Sequence, residues 1–226
     1  MSTKLKIAAA VAAAVLLSAC SSPKHEPMPL VNFTPSMEVT EVWSKGLSSA
    51  EGFLVPAVYD DMVFAAGGKT LTRLNARTGE TEWSVSFDSP ITGGVGSDGY
   101  VTAVGLWDGN LEVVDAEGKV SWEKKLTTEL ASPPVVSHGL VIARTMDTRV
   151  SAFEASSGEL QWTYQKSQPA LTVRLPTRML AHDNFLLVGQ PNGHIVILDI
   201  ASGKPVFEFQ VAKKLYFAFN DIFLPP

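Results

Sequence analysis

One cysteine, Cys20, occurs in 226 residues. No intramolecular disulfide and no cysteine-based metal site can be built from it, so an oxidising compartment leaves no covalent mark on the fold. Basic residues are few, 18 Lys and Arg against 23 Asp and Glu, and they form no cluster. An acidic chain without a basic patch repels nucleic acid, which excludes that class of partner. The apolar run Ile7 to Leu17 has 11 residues, and a membrane-spanning helix needs about 20. Signatures of common chemistry are missing as well: there is no G-x-S-x-G, no phosphate-cradling glycine loop and no zinc motif. His25, His138, His182 and His194 do not pair at metal-ligand spacing. No helical period is sustained beyond the first apolar run.

The start of the chain predicts a compartment. Lys4 and Lys6 precede the apolar run, which gives way to Leu17-Ser18-Ala19-Cys20, small residues where a signal peptidase cuts. Residues 1–19 therefore read as a signal peptide and Cys20 as a lipidated residue. Ser21, and not Asp, follows the cysteine, which by the sorting pattern of Gram-negative lipoproteins implies a lipid anchor on the periplasmic face of the outer membrane. Loss of residues 1–19 removes two lysines and no acid, so the mature charge is 16 − 23 = −7. Residues 20–37 carry Pro23, Pro27, Pro29 and Pro35 among polar residues and read as a flexible, partly extended tether of roughly 3.1 Å per residue.

What is present in quantity is a repeat. Gly79-Glu80-Thr81-Glu82-Trp83, Gly118-Lys119-Val120-Ser121-Trp122, Gly158-Glu159-Leu160-Gln161-Trp162 and Gly203-Lys204-Pro205-Val206-Phe207 recur 39, 40 and 45 residues apart, a period that belongs to four-stranded propeller blades. Each copy also holds a polar turn before an apolar strand, as at Ser97-Asp98-Gly99, and a hairpin tip such as Asp108-Gly109 or Asn192-Gly193. The predicted fold class is all-β, a propeller of about four four-stranded blades near residues 53–88, 90–127, 131–166 and 173–211, with an atypical tail over 212–226. Trp83, Trp122 and Trp162 read as packing anchors between blades, with Gly79, Gly118, Gly158 and Gly203 supplying turns of positive φ. Asp60, Asp61, Asp98, Asp108, Asp147 and Asp199 fall at turns or hairpins, where bonding to the local backbone accounts for them.

The Ala-x-x-Thr-Gly-x-x-x-Trp core at Ala76–Trp83 resembles the tryptophan-docking motif of quinoprotein (PQQ) propellers; Ser157 and Phe207 depart from it in later copies. With the leader and the proline-bearing tether, the chain resembles the propeller lipoproteins of the outer-membrane β-barrel assembly machine. The match includes Val42-Trp43-Ser44, Ser132-Pro133-Pro134-Val135-Val136-Ser137-His138-Gly139-Leu140 and Gln190-Pro191-Asn192-Gly193. That resemblance implies a non-catalytic scaffold with no cofactor and no metal, binding the periplasmic POTRA domains of BamA and aiding the folding and insertion of outer-membrane proteins. Pro169-Ala170-Leu171-Thr172-Val173-Arg174 resembles a contact loop of that family, which implies partner-binding roles for Leu171, Val173 and Arg174. A plain connector whose apolar residues tuck into the barrel wall is the other reading of this segment. A quinoprotein oxidoreductase fragment and a propeller of another envelope complex are the alternative functions. Family propellers have eight blades closed by an N-terminal strand, which Trp43 resembles, whereas here the repeat pattern fails after Val211. A truncated gene or a frame change near Ala212 leaving an open half-propeller is the expectation; a compact four-blade ring competes with it.

Overall fold

The computed structural model describes residues 37, 39–48, 54–166 and 177–211. Among them all regular structure is β, in four sheets that are each an antiparallel meander of consecutive strands. The first contains β1 (Ala57–Tyr59), β2 (Met62–Gly67), β3 (Thr70–Asn75) and β4 (Thr81–Ser86). The second contains β5 (Ile91–Ser97), β6 (Thr102–Leu106), β7 (Asn110–Val114) and β8 (Val120–Lys125). The third contains β9 (Val135–Ser137), β10 (Leu140–Arg144), β11 (Val150–Glu154) and β12 (Leu160–Tyr164), and the fourth β13 (Leu180–His182), β14 (Phe185–Gly189), β15 (His194–Asp199) and β16 (Pro205–Gln210). These are the four-stranded blades that the repeat predicts.

Successive side chains on a strand point to opposite faces, and here both faces of the inner strands are covered. Val104 and Leu106 of β6 pack with Phe64, Ala66 and Leu71 of the first blade. Ala103 turns the other way and joins Leu111, Val113, Val141 and Phe153 between the second and third blades. Ile142, Val150 and Ala152 meet Leu186, Val188, Val196 and Leu198 between the third and fourth. This explains why the inner strands are apolar throughout, where a half-wet sheet would alternate. Each buried cluster joins two successive blades. Among the described residues no such cluster joins the fourth blade to the first.

One contact repeats at every blade junction. The indole Nε1 of Trp43, Trp83, Trp122 and Trp162 donates to the backbone carbonyl of Ala76, Ala116, Ala155 and Ile200 respectively, at 2.8 or 2.9 Å. The ring then lies on Gly79, Gly118, Gly158 or Gly203 of the same turn, so closely that an added Cβ would stand 2.4–2.9 Å from the indole. These glycines also have φ between +66° and +83°, a region that side chains disfavour. Trp43 is the first member of this series. Its segment, 39–48, forms no strand, so the strand suggested by the sequence is present only as an extended arm whose ring docks on the first blade.

The indole is aimed by a β-bulge. Pairing of the third and fourth strands slips by one residue beside Arg73, Val113, Ala152 and Ile197, the cross-strand partners of Trp83, Trp122, Trp162 and Phe207. The extra residue bends the outer strand and re-aims the aromatic. Phe207 occupies the tryptophan position of the fourth blade but is 59 % exposed, with its ring against Phe209 at 5.8 Å between centroids.

Gly158 and Gly139 separate the two demands on these glycines, since their φ values are +70° and +71° but only Gly158 has a ring within 4 Å of the place a Cβ would take. Gly139→Ala is expected to cost about 1 kcal/mol, the backbone penalty alone. Gly158→Ala is expected to cost about 3 kcal/mol, because Trp122 must also move out of its packing. Urea unfolding of the two variants checks this, and equal losses would mean that docking adds nothing to the junction.

Candidate partner-binding site

Antiparallel connectivity gathers the β2–β3, β6–β7, β10–β11 and β14–β15 hairpins at the end of the blades that also carries the inter-blade linkers. Backbone bonds tie the two sets together: Ile91 N to Gly68 O, Leu126 N to Gly109 O, Met146 N to Glu129 O and Val211 N to Gly193 O. The tryptophan-docking turns lie at the opposite end of the strands. Loops at the hairpin end are thus free of the indole docking contacts.

Leu171, Val173 and Arg174 belong to the linker between the third and fourth blades and lie outside the described residues, as does Cys20. The two feet of that linker are described. At one, Lys166 Nζ meets Glu208 Oε1 of β16 at 2.5 Å, and the same oxygen is 2.9 Å from His194 Nδ1. The Lys166 hydrogen bond holds the Glu208 carboxyl below its ordinary range against the opposing effect of burial. At the other, buried Thr177 accepts a hydrogen bond from Arg144 Nη1 at 2.5 Å and donates to Gly189 O at 3.4 Å.

Arg144 departs from the repeat. Register places it opposite Val150, as Ala66 is opposite Leu71, Gly105 opposite Leu111 and Gly189 opposite Ile195. A position that is glycine or alanine in three blades is a 3 % exposed guanidinium in the third. Burial pushes its pKa down to about 10, and among the described residues no carboxylate is paired with it. Sequence reasoning passed over this residue, although aligning the copies by hairpin tip brings the exchange of Gly for Arg into view.

The chemistry of the outer strands differs at one repeat position. Thr72 and Ser84 are cross-strand partners in the first blade and share a 3.1 Å hydrogen bond; Ser151 and Thr163 do so in the third at 3.4 Å. The second blade holds two carboxyls there, Glu112 directly opposite Glu123. Glu112 is buried, and burial, the charge and hydrogen bond of Glu123, and the nearby Asp108 and Asp88 push its pKa up to about 7. Like charges facing each other across a ladder destabilise it unless a proton is shared.

The turn acids are engaged locally. Asp98 Oδ1 accepts from the Tyr100 and Val101 amides, Asp115 Oδ1 from Glu117 and Lys119, and Asp199 Oδ1 from Ser202. Among the described residues no three His, Cys, Asp or Glu side chains are grouped to hold a metal ion.

Four-stranded blades locked by an indole on a glycine turn define a PQQ-like β-propeller. The family profile described as outer membrane protein assembly factor BamB matches residues 67–216, and the chain belongs to that family. It is 36 % identical over 210 residues to BamB of Burkholderia pseudomallei, covering 90 % of this chain and 55 % of that one. It is 32 % identical to BamB of Bordetella pertussis, covering 87 % and 53 %. The crystal structure of BamB from Moraxella catarrhalis superposes with a TM-score of 0.62 at 28 % identity, covering 70 % of this chain and 48 % of that structure. The chain spans about half the length of the relatives it matches. The quinohemoprotein alcohol dehydrogenase of Comamonas testosteroni, at 20 % identity and a TM-score of 0.55, shares the fold alone.

Glu112 sets a pH dependence. Its folded pKa of about 7 lies above the ordinary 4.5, so between these values the folded state binds the extra proton and stability falls as pH rises. Glu112→Gln is expected to raise stability by about 1–2 kcal/mol near pH 8, after allowance for solvent screening, and to be neutral near pH 5. Thermal midpoints across this range measure it; a gain that does not vary with pH would deny the titration.

Proposed function

We propose that this chain is a non-catalytic scaffold of the outer-membrane β-barrel assembly complex, held to the periplasmic face of the outer membrane through lipidated Cys20. It binds the POTRA domains of BamA and aids the folding and insertion of outer-membrane proteins. The observation that carries this reading is family membership, since the relatives are named outer membrane protein assembly factors. The architecture supports it. Indole docking takes up one end of the blades, and the linker and hairpin loops lie at the other.

Leu171, Val173 and Arg174 form the contact, on a linker whose feet at Lys166 and Thr177 are fixed to the fourth and third blades. An apolar pair excludes water while the guanidinium fork pairs with a carboxylate of the partner, the pattern of a small hot spot. The Arg144 to Thr177 bond serves as a post for the return of this linker.

Co-purification of the chain with BamA from detergent-solubilised envelopes tests the reading against a Leu171→Ala, Arg174→Ala double variant. Loss of at least about tenfold in recovered BamA is expected, the effect of removing one hot-spot residue. Equal recovery would move the contact elsewhere, and no recovery with either would show that these blades lack the partner surface. Cys20→Ser is expected to shift the chain from the membrane to the soluble periplasmic fraction and to abolish palmitate labelling.

A further inference from the structure

The second and third blades enclose a cleft of about 250 Å³ bordered by Lys124, Arg149, Thr127, Ser151, Thr163 and Phe153. Lys125 and Leu160 complete its rim. No carboxylate lines it, although acids outnumber bases in the chain. Lys125 already donates to the Asp108 carbonyl. Lys124 has no ion pair among the described residues. Arg149 Nε is buried without a hydrogen-bond acceptor and pairs at 3.8 Å with Asp147, a carboxylate beside the cleft that accepts from the hydroxyls of Thr127 and Thr145.

The repeat supplies an internal control. At the equivalent repeat position the second blade carries Glu112 and Glu123, and between the third and fourth blades Lys166 and Glu208 neutralise each other at 2.5 Å. The cleft between the second and third blades presents Lys124 and Arg149 from two different blades, with the mutually bonded Ser151 and Thr163 hydroxyls below them and an apolar floor at Phe153. A basic rim is complementary to a carboxylate. The volume holds one side chain and is below that of pockets for drug-sized ligands.

We infer that this cleft receives a glutamate or aspartate side chain of a partner polypeptide, whose carboxylate lies between Lys124 and Arg149 and whose stem packs on Phe153. The apolar floor and the single-residue size favour a side chain over a free inorganic anion. This contact is separate from the linker of residues 167–176 and stands whether or not that linker binds BamA.

The test titrates the isotope-labelled chain with an acetylated, amidated Val-Glu-Val peptide, its Val-Gln-Val counterpart and inorganic phosphate, following amide signals of Thr127, Ser151 and Thr163 by NMR. The glutamate peptide is expected to bind with a Kd in the millimolar range and the glutamine peptide about fivefold more weakly. Lys124→Gln with Arg149→Gln is expected to abolish the shifts while leaving the thermal midpoint near that of the parent. A second double variant, Lys119→Gln with Lys204→Gln, removes the same charge elsewhere and is expected to bind as the parent does. Equal binding of both peptides, phosphate displacing the peptide at matching concentration, or equal loss in both double variants would each overturn the assignment.

Discussion

An indole lying on a glycine is the contact on which the arrangement of these blades depends. A four-stranded antiparallel sheet with two apolar faces cannot stand alone in water, because each face exposes the Val, Leu and Ile side chains that its neighbour covers. Burying those faces favours stacking but does not choose an angle or a register, since the hydrophobic effect is non-directional. The Trp Nε1 to carbonyl bond and the absence of a Cβ under the ring supply the missing direction. The same glycine closes the turn through a positive φ, so turn formation within one blade and docking from the previous blade select one residue at one position. A substitution there disturbs both at once.

Repetition makes departures visible. Where three blades carry Gly or Ala, the third has buried Arg144, reaching to the foot of the next linker. At the hairpin tip where the second and fourth blades have Gly109 and Gly193, the third holds Thr148 at φ +69°, a strained conformation for a β-branched residue. Where hydroxyl pairs stand in the first and third blades, the second has facing carboxyls. None of these exchanges improves the stack. They fall beside linkers and hairpins, where a local cost does not break the repeat.

The blades were legible because their signals are local. Apolar strands, hairpin tips and the Gly-to-Trp spacing each lie within about 40 residues and depend on backbone rules common to all chains. Trp83, Trp122 and Trp162 could be read as junction anchors for the same reason. Trp43 was harder: its spacing is correct, but a lone docking arm and the outer strand of a blade share one pattern. The candidate site was legible only by resemblance. Nothing in the composition of Leu171, Val173 and Arg174 separates a contact loop from a connector, and Arg144 with Thr177, 33 residues apart, carries no periodic signal at all.

The amino-acid sequence by itself determined that the chain is all-β, that it is built from four-stranded repeats, and which glycines and tryptophans hold those repeats together, since each follows from short-range geometry. Tertiary structure decided which charges meet. Val114 pairs with Val120, and continuing that register would set Glu112 against Trp122; the bulge after Val113 shifts the ladder by one residue and sets Glu112 against Glu123 instead. Lys124 and Arg149 share a cleft only because the second blade is docked on the third through Trp122. A one-residue slip exchanges the faces of a strand, and no pattern along the chain records the bulge and the docking that set the register and the neighbour.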